Sequence, residues 1–389
     1  MTATAEETQI ISAGAPAPIP VHGLVDIVDG HGYLRTAGYR SSPGDLPLTP
    51  GQLRQHGLRP GDLVEGTAAA PGPAGGPQRS RAGREPRLAG VTAVNGRPPG
   101  ESAARPHFAD LTPVYPSERL RLEAGDASPA ARVIDLVAPI GKGQRGLIVA
   151  PPKAGKTMIL KTIAHAIACA YPEVHLMMVL VGERPEEVTD LQRSVRGEVV
   201  FSTFDQSPAH HVRAAELAAE RAKRLAELGR DVVILLDSLT RLGRAYNLAA
   251  PASSRTLTGG VAASALQPPR RFLGAARSLE EGGSLTILST ALVDTGSQLD
   301  NVLFEEFKGT GNMELRLRRD LAEKRLFPAV DAAGSGTRRD DLLMDPAEHA
   351  AVISLRRALS GLDAQHALEL LLDKTRQPNA GFLRQVRAS

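Results

Sequence analysis

The chain has 389 residues, with 46 Lys and Arg against 43 Asp and Glu, a formal net charge of +3, 3% aromatic residues and no Trp. That length allows two or three domains with aliphatic cores. The near-balanced charge permits nucleic acid without demanding it. One cysteine excludes a disulfide framework and a Cys/His metal cluster, and no run of about 18 apolar residues marks a membrane span, so the expected location is cytoplasmic.

Met1 to about Pro20 is rich in Ala, Thr and Pro and reads as a disordered tail. From Val21 to about Asn95, short apolar segments alternate with turn residues, the pattern of a small β-barrel (residues 21–97). Gly30-His31-Gly32-Tyr33-Leu34-Arg35 places His31, Tyr33 and Arg35 on one strand face. Two rings beside an arginine form a base-stacking platform for single-stranded RNA, or simply the surface of an edge strand. Residues 71–87 carry Arg79, Arg81, Arg84 and Arg87 among Pro and Gly and read as a basic loop, either a solvated linker or a nucleic-acid contact. Residues 98–131 form a connector.

From Arg132 onward, strands alternate with helices in the pattern of a doubly wound parallel sheet. The expected strands are Leu147–Ala150, His175–Val181, Glu198–Ser202, Asp231–Asp237 and Ser284–Ala291. Ala150-Pro151-Pro152-Lys153-Ala154-Gly155-Lys156-Thr157 follows the first strand and opens an apolar helix to about Tyr171. This is a phosphate-binding loop with Ala150 in place of the leading glycine. Gly155 lets the backbone approach phosphates, Lys156 reaches the β- and γ-phosphates of ATP, and the Thr157 hydroxyl suits Mg²⁺. Cys169 in the same helix is expected to be a small buried hydrophobe.

Asp237 ends a continuous apolar run, where it serves as the acid of the Mg²⁺ shell or as the cap of the next helix. Glu183 follows another strand, placed to polarise water or to favour a helix N-terminus. Arg255 to Val261 and Thr295-Gly296-Ser297 read as loops. Arg338 stands on a further loop, available to a neighbouring subunit or to solvent. Lysine is scarce, eight of the 46 basic residues, which draws notice to Lys308 and Lys324 as well as to Lys153 and Lys156. Amphipathic helix follows Pro346.

From about Val21 to its C-terminus, and most densely across the motor half, the chain resembles the family of transcription termination factor Rho, a hexameric RNA-dependent ATPase and helicase with a RecA-like P-loop domain. The resemblance rests on Leu147 to Thr157, Val181 to Thr189, Leu236-Asp237-Ser238-Leu239-Thr240-Arg241, Asp294-Thr295-Gly296-Ser297, Phe307 to Glu314 and Gly336-Thr337-Arg338. Ala150 is usual in that family. The resemblance implies a RecA-like ATPase/helicase domain over 132–389, with Lys153, Ala154, Gly155, Lys156 and Thr157 around the phosphates. Met158 and Phe327 then pack on adenine, Glu183 is the catalytic glutamate with Arg184 beside it, Arg325 belongs to the nucleotide site, and Arg338 is an arginine finger supplied across the ring. It also implies that the N-terminal barrel is an OB-type primary RNA site and that RNA contacts in the pore fall at Arg255, Thr258, Gly259, Gly260, Val261, Thr295, Gly296, Ser297 and Gln298, with Lys308, noticed above for the scarcity of lysine, as a further RNA-binding candidate. The implied partners are cytosine-rich single-stranded RNA, five further copies of the chain and the RNA polymerase elongation complex. Three departures stand out. Only a short tail precedes the barrel, where the family has a helical bundle. His31 replaces one stacking aromatic, and a second has no match near Glu85-Pro86. Gln298 replaces a basic residue of the second pore loop. They leave open an alternative, an RNA-binding ring regulator with weak ATPase and poor motor coupling.

Overall fold

The computed structural model describes residues 19–69, 86–123, 128–251 and 253–388. The expected tail up to residue 18 and most of the basic loop, with Arg79, Arg81 and Arg84, lie outside the described residues. The chain divides into two compact units, residues 1–104 and 105–389.

The first unit is built on an antiparallel sheet. Its strands are β1 (Ile19–Val28), β2 (His31–Arg35), β3 (Leu46–Leu48), β4 (Leu63–Ala69) and β5 (Arg87–Val94), in the order β3-β2-β1-β4-β5. Asp29 and Gly30, with φ of 49° and 81°, make the tight connection from β1 to β2. Residues with positive φ suit a two-residue hairpin, because their twist matches that of the strands. The concave side buries Val25, Leu34, Leu46, Leu48, Leu58, Val64, Leu88 and Val94. Helix α1 (Pro50–Gln55), capped by Thr49 and Gln52, closes one side, where Gln52 Nε2 donates to the Leu88 carbonyl at 2.8 Å. The edge strands β3 and β5 touch but do not pair. The expected barrel is therefore a curled half-barrel among the described residues.

In the second unit, six parallel strands run in the order β9 (Glu198–Thr203), β8 (His175–Glu183), β10 (Asp231–Asp237), β14 (Ser284–Leu292), β7 (Arg145–Ala150), β15 (Met313–Arg316), with β16 (Gly336–Thr337) antiparallel at the edge. Val232 to Leu236 are buried to within 1% of their surface, as a strand covered on both faces requires. Before this core, β6 (Pro113–Val114) pairs with β13 (Arg277–Leu279), which pairs with β14. The incoming segment is anchored by a buried ion pair of Arg105 with Glu227 at 3.0 Å, and Glu227 also accepts from the Phe108 N–H at 2.8 Å.

Helices cover the sheet. α2 (Lys156–Ala170) follows β7, α3 (Pro185–Ser194) follows β8, α4 (Pro208–Ala226) follows β9 and α5 (Leu239–Ala249) follows β10. The strands β11 (Thr256–Leu257) and β12 (Val261–Ala262) form a small hairpin that leads into α6 (Ala263–Gly274), and α7 (Gln298–Lys308) follows β14. Three helices end the chain: α8 (Pro346–Ser360), α9 (Ala364–Lys374) and α10 (Asn379–Ala388). Cys169 corrects the expectation of burial. It is exposed, because α2 buries Ile159, Leu160, Ile163 and Ile167, and the helical period turns position 169 to the opposite side.

Candidate nucleotide and RNA sites

Parallel pairing brings the carboxyl ends of β7, β8 and β10 to one edge of the sheet, and each is followed there by a motif residue. Gly155 caps α2 with φ of 94°, a conformation that glycine adopts without strain, so the first helical N–H groups open onto the edge. Lys156 Nζ donates to Glu183 Oε1 at 2.9 Å and to Asp237 Oδ2 at 2.6 Å. Both carboxylates are about 1% exposed. Burial works to lower the Lys156 ammonium, but the Asp237 and Glu183 charges outweigh it and hold it above its usual range. Burial, then the Asp237 charge, pushes the Glu183 carboxyl up against the pull of Lys156 and Arg241.

Several neighbours escaped the sequence reading. Thr290 on β14 donates to Asp237 Oδ1 at 2.7 Å, which fixes the carboxylate plane. Arg241 Nη2 stands 3.3 Å from Glu183 Oε1, and its Nη1 donates to the Gly182 carbonyl. Two signals were present: hydroxyls at Ser289 and Thr290 inside an apolar strand, and an arginine one helical turn beyond Asp237. Asp237 is buried at the strand end, and Ser238 rather than Asp237 caps α5 by accepting from the Arg241 N–H at 3.1 Å. Arg184 is exposed and pairs with Glu187 at 2.9 Å.

Phe327 leans over the loop, its ring 3.5 Å from where a Cβ on Gly155 would lie, and Met158 is 46% exposed. The exposed Arg325 holds φ of 61° and Lys153 holds 66°. Thr157 and Asp237 offer hard oxygen donors of the kind Mg²⁺ takes. Arg338 is exposed at the other edge of the sheet. Its N–H donates to the Asn312 carbonyl at 2.8 Å, and the Asn312 N–H donates to the carbonyl of Arg145, the first residue of β7. The phosphate loop leaves the far end of that strand, about 17 Å away at roughly 3.3 Å per residue.

On the half-barrel, His31 is exposed and Tyr33 half-buried. Arg35 departs from the expected open platform. It is buried, ion-paired to Asp26 and Asp45 at 2.7 Å each, and its guanidinium lies 4.9 Å from the Tyr33 ring centroid. It supports the ring from behind, because two carboxylates in a desolvated strand hold it more firmly than solvent would.

The two glycine loops meet. A Cβ on Gly259 would come within 3.2 Å of the Gln298 carbonyl, and Asn247 ties the hairpin through the Gly260 carbonyl and the Ala262 N–H. Arg255, Gly260, Gly296 and Gln298 are exposed. Other expected contacts are built into the scaffold. Val261 is fully buried, Thr295 Oγ1 donates to Asp300 at 2.6 Å, and Ser297 caps α7. The Thr258 side chain lies outside the described residues. Lys308 ends α7, about 15 Å along the helix from Gln298, so the fold does not bring it to the loops.

Among the described residues, no cluster of His, Cys, Asp and Glu could hold a metal, and no helix is long and apolar enough to cross a membrane. Residues 130–336 match the nucleotide-binding domain of the ATP synthase alpha/beta family. Residues 21–100 match the RNA-binding domain of the Rho termination factor. Transcription termination factor Rho of Streptosporangium roseum is 60% identical over 369 residues, which cover 94% of this chain and 92% of that protein. The Streptomyces lividans factor is 59% identical over 95% of this chain, and the chain spans 52% of its length. An ATPase from the type III secretion system of pathogenic bacteria shares the fold, with a TM-score of 0.60 at 21% identity over 71% of this chain and 87% of that one. With an RNA-binding half-barrel followed along the chain by a P-loop nucleotide-binding domain, the chain belongs to the transcription termination factor Rho family.

Proposed function

We propose that this chain is an ATP-driven RNA motor that terminates transcription, working as a homohexamer in the cytoplasm on cytosine-rich nascent RNA and against the RNA polymerase elongation complex. The observation that carries this reading is the division of the site. Lys156, Glu183 and Asp237 share one edge of the sheet, while Arg338 stands at the other. This division supports a site completed by Arg338 of a neighbouring copy.

In this reading the backbone from Lys153 to Thr157 and the Lys156 ammonium hold the phosphates, and Phe327 and Met158 flank the base. Thr157 and Asp237 would hold Mg²⁺, which would supply positive charge to offset that of the phosphates. Thr290 keeps the Asp237 carboxylate aimed. As Lys156 turns to the phosphates, Glu183 keeps Arg241 as its cation. Its raised proton affinity suits it to accept a proton from the attacking water. Arg338 from the adjacent copy meets the charge that develops on the transferred group. The test is ATP hydrolysis by the intact chain with cytosine-rich RNA, with single-stranded DNA and with neither. Stimulation by RNA is expected; equal rates in all three would overturn the reading.

On the half-barrel, Tyr33→Ala should weaken RNA binding by about 1–3 kcal/mol, the scale of one stacked base. Titration of a labelled cytosine-rich oligonucleotide at moderate salt measures this, and an unchanged affinity would leave His31 and Tyr33 as plain surface.

A second reading, a ring with weak motor coupling, is favoured by Gln298. It is exposed at the start of α7 and offers a neutral hydrogen bond, roughly half as strong as a charge-assisted phosphate contact. Gln298→Lys should raise duplex unwinding more than ATP turnover, most clearly at low salt. Unwinding per ATP consumed, compared at two salt concentrations, decides it. Equal coupling in both proteins would show that the missing charge is compensated by another residue, such as Arg255 or Lys308.

A further inference from the structure

The C-terminal ends of α6 and α7 border a separate cavity of about 660 Å³. Lys223, Arg270, Arg271 and Arg277 line it, and none of its lining residues is acidic. Two of these cations are answered from outside the lining, Lys223 by Glu220 at 2.6 Å and Arg270 by Glu306 at 3.1 Å. The other two have no carboxylate partner among the described residues. Arg271 is exposed, and Arg277 donates to the carbonyls of Gly274 and Ala275 at 3.3 Å. Arg145 stands beside Arg277, bonded to the carbonyls of Thr310 and Ala276 at 3.1 Å, with burial and then the Arg277 charge drawing its guanidinium down. The half-buried Arg145 and Arg277, side by side without a carboxylate and next to the exposed Arg271 of the lining, call for an anion.

We propose that this cavity binds phosphates of the RNA strand that also engages the two glycine loops. The proposal rests on the RNA-motor reading above. Placement favours RNA. α6 begins directly after the β11–β12 hairpin and α7 begins at Gln298, and the cavity receives Gly274 at the end of the first and Thr310 just beyond the end of the second. The 12 residues of α6 span about 18 Å at roughly 1.5 Å each, so a strand leaving the loops along these helices arrives at the cavity. Lys308, which the fold withdraws from the loops, stands at this same end. The cavity reads charge and not base. Its one aromatic ring, Phe108, is 6% exposed and has the Arg277 guanidinium 5.0 Å from its centroid, which leaves no face for stacking.

The test is the salt dependence of RNA binding by the full chain, measured without ATP on a cytosine-rich and a purine-rich oligonucleotide. Arg271→Gln should flatten the slope of log affinity against log salt by about 0.7, one single-strand phosphate contact, and Arg271→Lys should keep the wild-type slope. Arg271→Gln with Arg277→Gln should lose about twice that, with the preference for cytosine unchanged. Arg271 is exposed, so its single variant keeps the test valid even if Arg277→Gln fails to fold. A wild-type slope in Arg271→Gln overturns the proposal. So does a slope that stays unchanged while inorganic tripolyphosphate raises the Tm of wild type but not of Arg271→Gln, because the cavity then takes a free polyphosphate. Full RNA-stimulated hydrolysis beside an unchanged slope leaves the motor reading standing and removes only the cavity's role. Failure of the wild type to bind RNA removes both.

Discussion

Glu183→Gln should still bind ATP but hydrolyse it about 10²–10⁴-fold more slowly, the range lost when a positioned general base is removed. The residue is buried, its carboxyl is pushed up by burial and by the neighbouring Asp237 charge, and the amide that replaces it fills the same volume without accepting a proton. Lys156→Ala and Asp237→Asn should also abolish hydrolysis, for different reasons. The first removes the ammonium that bridges Glu183 and Asp237 and leaves two buried carboxylates facing each other without it. ATP affinity should fall with it. The second keeps the shape and removes the charge that Thr290 holds in place. Nucleotide binding measured by fluorescence, beside single-turnover hydrolysis, separates the three. Near wild-type turnover in Glu183→Gln would remove it from the role of base and point to water activation by another group.

Arg338→Ala should cost about 10³-fold or more in turnover, the effect of losing an arginine finger. The side chain is exposed, so its removal should leave the fold intact. Its anchor on Asn312, beside the start of β7, keeps it from the phosphate loop of its own chain. Mixed with Glu183→Gln chains, Arg338→Ala chains should regain some activity, because some interfaces then combine an intact Glu183 from one copy with an intact Arg338 from the next. ATP turnover across mixing ratios, in rings shown by native mass spectrometry to be mixed, reads this out. Absence of rescue at every ratio would place the arginine outside the shared site.

The sequence by itself determined the local parts of this protein. The strand Asp231–Asp237 was legible because a continuous apolar run ending in an acid has few other uses, and the observed strand has those bounds. The phosphate loop was legible because its chemistry sits in consecutive residues, with the strand, the Gly155 turn and the helix all contiguous. Only the tertiary structure decided what depends on residues far apart in the chain. The bond from Thr290 to Asp237 joins positions 53 apart, and a hydroxyl in an apolar strand gives no hint of its partner until neighbouring strands are aligned. Arg35 shares a strand face with Tyr33 in any reading, but that it lies buried under the ring depends on Asp26 across the hairpin and Asp45 just before the next strand. Lys308 drew notice as one of eight lysines, and only the length of α7 shows that it stands about 15 Å from Gln298, at the other end of that helix. Periodicity and motifs report what each residue prefers. Pairing, burial and distance come from which distant segments the core brings together, and a single sequence does not contain those neighbours in order.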